Sequence, residues 1–196
     1  MLGLSSGIIA PQAPSSRVLL NTYTSDFTSD VDGWASYQGN AAVATLTANQ
    51  SIGGQDGCLK VIAETDETGI FGISKTLEGG VYTSELRQGD YVHVTCKIYL
   101  DTTGGAWGNA GTGTNITINM NMGRGNYDAM GVAQNAWVDW DSQNLPAGAL
   151  DSDLTGSSGG TFNIYSSGGA TQQPAEHAAI FIKNLVVKQY RSALFT

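Results

Sequence analysis

From Val18 onward, apolar and polar residues alternate in short runs separated by clusters of Gly, Ser, Thr, Asn and Asp. Side chains of a β-strand alternate between the two faces of a sheet, so this pattern predicts strands rather than helices. The runs place strands over 18–24, 41–48, 57–65, 69–77, 90–101, 114–122, 135–142, 161–166 and 178–190. Two are especially regular: Ile116-Thr117-Ile118-Asn119-Met120-Asn121-Met122, and the run from Tyr91 to Leu100. Each predicts one face for a core and one for water or a partner. The connections 102–113 and 145–160 are too long for hairpins. About ten strands joined by long crossovers predict an all-β fold, a two-sheet antiparallel β-sandwich of Greek-key or jelly-roll type.

Phase also separates the two cysteines. Cys96 is in step with Val92, Val94, Ile98 and Leu100, whereas Cys58 is in step with Lys60. They point to opposite faces of their strands, which predicts two free thiols, as in a reducing compartment.

Composition agrees with the pattern. Gly contributes 26 of 196 residues and charged residues only 13%, too few to solubilise long helices, while 41% hydrophobic residues suffice for a core. The net charge of −8 and pI near 4.4 would repel a phosphate backbone, so no nucleic-acid partner is expected. No apolar stretch reaches the ~20 residues of a membrane helix, and no membrane association is expected.

Residues 1–17 stand apart from the alternation. Met1, Leu2, Leu4, Ile8, Ile9 and Pro11 make the segment apolar and Pro-punctuated, and its first charge is Arg17. The stretch lacks the positive start of a secretion signal and is broken by Gly3 and Gly7. It reads as an extended N-terminal arm (1–17) that docks on a partner, preceding one sandwich domain (18–196).

Three segments resemble the jelly-roll carbohydrate-binding modules found beside xylanases and cellulases. These are Asp26-Phe27-Thr28 through Gly33-Trp34, Gly57-Cys58-Leu59-Lys60-Val61, and Ile180-Phe181-Ile182-Lys183-Asn184-Leu185-Val186-Val187; Trp137 resembles a Trp that starts a late strand in that family. The resemblance implies the sandwich fold, and it places Trp34 and Trp137 in structural positions. It also implies a calcium site with a carboxylate in the first strand and an Asp in the last, where this chain has Thr28 and Lys183. An ammonium repels calcium, so no metal is expected; Lys183 is expected to pair with Asp26, Asp30 or Asp32 in the ion's place.

Sugar binding needs aromatic platforms with polar neighbours. Trp107, flanked by Gly104, Gly105, Gly108 and Gly111 on a loop, is the leading candidate contact, with Trp140 and Tyr127 after it. Trp140 is out of phase with Trp137, so the two face opposite ways. Catalytic chemistry finds little footing. His93 and His177 lack metal-ligand spacing, Glu64, Asp66 and Glu67 sit at a strand end, and Asp139 and Asp141 share a face without a third partner. A non-enzymatic protein without cofactor is expected.

An acidic sandwich with an uncharged arm looks like the small virion structural proteins of tailed phages that carry such a jelly roll. The first expectation is therefore a capsid decoration or cement protein, or a tail subunit, assembled in the host cytoplasm. It would dock on other virion proteins through the arm and form a homo-oligomer. The alternative is a glycan-binding module that grips a surface glycan. A jelly-roll lyase or hydrolase ranks third.

Overall fold

The computed structural model describes residues 17–39, 44–64, 70–76, 91–105, 114–121, 126–142, 161–166 and 177–192. These residues form eleven strands: β1 (Arg17–Ser25), β2 (Ala35–Gly39), β3 (Ala44–Ile52), β4 (Gln55–Ala63), β5 (Ile70–Thr76), β6 (Tyr91–Asp101), β7 (Thr114–Asn121), β8 (Asn126–Val132), β9 (Trp137–Asp141), β10 (Thr161–Ser166) and β11 (Ala179–Ser192). One sheet runs β3-β4-β11-β6-β9, with β1 also on β11; the other runs β2-β5-β10-β7-β8. All strand pairings are antiparallel. The protein is the two-sheet antiparallel sandwich that the alternation predicts.

The core lies between the sheets. Leu59, Ile98, Ile180 and Ile182 from one sheet meet Phe71, Ile73, Phe162 and Ile164 from the other, all at 0% exposure. Burying side chains of this size contributes about 1.5–3 kcal/mol each. Trp34 closes the cluster, edge-on to Phe162 at 5.9 Å between ring centroids, as its structural role in the resemblance implies.

Strand β11 organises the larger sheet. Its residues 179–182 pair with β4, its residues 185–192 pair with β1, and β6 follows its other edge. The register on β6 shifts between Lys183 and Val186, and Asn184 there has φ +52°. This bulge marks the change of neighbour from β4 to β1.

Two strands lie outside the expected set. Strands β2 and β8 are short, carry Gly, and show weak alternation, and both are edges of the smaller sheet. Edge strands need fewer apolar residues because their backbones are half satisfied by water. The hairpin β3–β4 is also longer than expected. Gly53 and Gly54, at φ +55° and +76°, form a two-residue turn of the type that suits the twist of a hairpin.

Candidate functional site

The outer face of the smaller sheet carries an aromatic pair on a glycine floor. Tyr37, on β2, and Tyr165, on β10, are both in register with Gly72 of the intervening strand β5. Ile164, next to Tyr165, faces the core, as does Ile73, which is in register with Ser36 next to Tyr37, so the tyrosines face outward. With no side chain at Gly72, the rings meet above it, 4.8 Å between centroids and 28° between planes. The next row has Ser74 at its centre, in register with exposed Ala35 on β2 and with Asn163 on β10, which is 1% exposed. Both tyrosines are half-buried. Sequence reasoning missed them; the usable signal was an aromatic in phase with polar residues, Tyr165 with Asn163.

The outer face of the larger sheet has a second, smaller apolar cluster. Phe181, Tyr99 and Trp137 lie in one register row across β11, β6 and β9. Tyr99 is 5.5 Å from Trp137 and 6.3 Å from Phe181 between centroids. The β3–β4 hairpin curls over this row, and the Trp137 indole N–H donates to the Ile52 carbonyl at 3.2 Å. Backbone distortion at Asn49 and Gly57, φ +53° and +68°, re-aims the hairpin.

This arrangement reverses the expectation for two tryptophans. Trp140, a candidate contact, is 2% exposed within the main core beside Cys96, whereas Trp137, assigned to the core, stands half-buried on the outer face. Phase placed the two on opposite faces correctly. Which face became the core depended on how the two sheets stack.

Toward the other end of this face the register is polar. Lys97 pairs with Asp139 at 2.9 Å, and His93 Nε2 lies 2.5 Å from Asp141 Oδ1. Asp139 and Asp141 thus share a face as expected, each engaged by a basic partner on β6. A recess of about 290 Å³ between them is lined by Thr95, Lys97, Asp139, Asp141 and Asn184, among others.

The loop after β1 shows where the expected carboxylate pairing fails. Lys75 points inward at the end of the core, and its ammonium contacts Asp32 Oδ1 at 3.5 Å, the Tyr23 hydroxyl at 3.0 Å and the Asp32 carbonyl. It also sits over the Tyr23 ring at 4.7 Å. Burial and the hydrogen bond it donates to Asp32 push the Tyr23 hydroxyl well above the ordinary phenol range. Asp26 accepts from the Thr28 backbone N–H and hydroxyl, which hold its carboxyl below the usual range. Asp30 accepts from the Asp32 N–H.

Lys183 has partners other than the expected carboxylates. Its ammonium donates to the Asp56 carbonyl at 2.6 Å and to Gln55 Oε1 at 3.3 Å, because β11 runs beside β4 here and the 26–32 loop is elsewhere engaged. Thr28 lies against Gly57, next to the Gln55 and Asp56 oxygens that Lys183 reaches, so both positions of the calcium resemblance adjoin the start of β4. The residues present do not fit that ion. The oxygens that converge are held by a cation on the chain itself, and Thr28 supplies no carboxylate.

Both cysteines are free and buried on opposite faces, as phase predicts. Burial pushes the Cys96 thiol up to about 12 and raises that of Cys58. Among the described residues no group of three or more His, Cys, Asp or Glu is placed to hold a metal. Tyr127 lies in β8, in backbone register with Asn119. Trp107 and the arm residues Met1, Leu2, Leu4, Ile8, Ile9 and Pro11 lie outside the described residues.

No family model matches the sequence, and no curated protein matches it. Solved structures similar to the chain include the Family 11 carbohydrate-binding module from Clostridium thermocellum in complex with a beta-1,3-1,4-mixed-linked tetrasaccharide. That match has 12% identity, covers 92% of this chain and 98% of that one, and has a TM-score of 0.46. Another is TmCBM27, a carbohydrate-binding module described for specific mannan recognition, at 13% identity, 91% and 100% coverage, and TM-score 0.49. The fold of this chain rests on its own strand pairing.

Proposed function

We propose that this protein is a non-catalytic glycan-binding sandwich whose platform is the Tyr37–Tyr165 pair. The observation that carries the reading is the stacked, half-buried pair above Gly72 on an outer sheet face, with the Ser74 hydroxyl in the next row. Aromatic rings bury the apolar face of a pyranose, and neighbouring hydroxyls bond its hydroxyl groups. The carbohydrate-binding modules of similar shape agree in kind with this reading. The test is affinity electrophoresis of the full chain through gels containing neutral β-glucan or mannan. Tyr37→Ala and Tyr165→Ala should each weaken retardation by roughly tenfold, since platform aromatics dominate such interfaces. Retardation unchanged in both folded variants, or none for the parent protein on either glycan, overturns the assignment.

A second reading, a tailed-phage virion subunit docked through its arm, is supported by one specific feature. Val18 and Leu19, 41% and 50% exposed, are the exposed large hydrophobics among the described residues, and they open β1 directly after the arm. Docking the arm on a partner's sheet edge would cover them. Removing residues 1–16 should then convert an oligomer to a monomer in sedimentation while leaving glycan affinity intact. A full-length chain that sediments as a monomer excludes self-assembly through the arm.

A further inference from the structure

The chain has five lysines, and four of them, Lys60, Lys97, Lys183 and Lys188, occupy outward positions on the larger sheet. Their strand neighbours Leu59, Val61, Ile98, Ile182 and Val187 are fully buried in the core, which fixes the lysines to the opposite face. One cross-strand pair between β11 and β6 sets cation against cation, Lys183 directly opposite Lys97, and Lys188 is directly opposite His93. Like charges directly opposite each other destabilise a sheet, and here the arrangement occurs in a protein with net charge −8. Among the described residues, no carboxylate pairs with Lys60, Lys183 or Lys188; the oxygens bound to Lys183 are neutral. The carboxylates Asp139 and Asp141 stand to one side, on edge strand β9, with the 290 Å³ recess between them and the bulge at Asn184.

We propose that this face binds an acidic polysaccharide, one whose sugars carry carboxylates, at a site separate from the tyrosine pair. The ammonium groups of Lys183 and Lys188 would take the carboxylates, Lys97, already paired with Asp139, would add to the positive field between them, and Asp139 and Asp141 would accept hydrogen bonds from sugar hydroxyls. Lys183 and Lys188 lie opposite positions 97 and 93 of β6, four residues or about 13 Å apart at strand rise, so the ligand must carry charges at more than one point along its length. A nucleic acid fits poorly, because its dense phosphates would meet Asp139 and Asp141. A second copy of this chain is the other occupant with acidic surface, and the experiment separates it.

The full chain is run on gels containing polygalacturonate or its methyl ester, which has the same backbone without the charge. Polygalacturonate should retard the protein and its ester should not, and added salt should weaken the retardation. Lys188→Gln, and the double variant Lys97→Gln/Lys188→Gln, should each weaken binding at least about fivefold, since a charge-assisted hydrogen bond is lost. Tyr37→Ala should leave it unchanged, so failure here is distinguishable from failure of the neutral-glycan reading. The proposal is overturned if polygalacturonate does not bind at low salt, if the ester binds equally, or if both lysine variants bind as the parent does. It is also overturned if the parent sediments as an oligomer that the lysine variants dissociate, which would make the face a self-interface.

Discussion

Trp140→Ala is expected to lower the unfolding free energy by about 3–5 kcal/mol, the range for emptying a large aromatic site in a core. Trp140 is 2% exposed in the main core, between strands that cannot collapse into the vacated volume without breaking the β6–β9 ladder. Trp137→Ala, three residues away on the same short strand, should cost only about 1–2 kcal/mol. Its ring is half-buried, its neighbour Tyr99, tilted 57° to it, remains against Phe181, and the Ile52 carbonyl it releases adjoins the exposed Gly53-Gly54 turn. Urea titrations followed by circular dichroism measure both. Equal losses would mean that the outer cluster is as closely packed as the core. A larger loss for Trp137 would reverse the assignment of faces.

Gly72→Ala is the second large effect, with an expected cost of about 2–3 kcal/mol or outright failure to fold. A Cβ at this position would lie 2.1 Å from the Ile164 carbonyl oxygen and 2.5 Å from the Tyr165 Cα. Both are backbone atoms of the neighbouring strand, so no side-chain rotation relieves the clash. Strands β5 and β10 would have to separate, carrying Tyr165 away from Tyr37 and taking the proposed platform with it. Gly54→Ala is the control. Its Cβ would meet nothing within 4 Å, and its cost, about 1 kcal/mol, comes from the left-handed backbone at φ +76°. If the two variants unfold at the same urea concentration, the close approach of β5 and β10 is not a constraint.

Much of the sandwich was legible because most strands have one face in the core. Strand β6 carries the period-2 signal over eleven residues and β11 carries it on either side of its bulge at Asn184, and their predicted spans differ from the observed ones by only a residue or two at the ends. Strands β2 and β8 were illegible for the converse reason: at a sheet edge a strand can be short, rich in Gly and polar, and still be held by its neighbour. The site was read less well. Aromatics were sought on Gly-rich loops and beside known motifs, whereas the observed pair comes from β2, itself unpredicted, and from Tyr165 in a six-residue strand. Tyr37 and Tyr165 are 128 positions apart, and nothing local in either segment points to the other.

Alternation along the chain was sufficient to establish an all-β protein, to set Cys58 and Cys96 on opposite faces, and to set Trp137 against Trp140. Each rests on the phase of a residue against its neighbours in its own strand, and a repeat of two residues imposes that phase whatever the strand pairs with. It could not say which of the two tryptophans would be buried, that Lys183 would reach Gln55 and Asp56 rather than an aspartate, or that lysines would face one another across β6 and β11. These outcomes follow from which strands become neighbours, in what register, and which face the second sheet covers. Contacts between distant segments decide all three, and a local pattern of polarity carries no record of them.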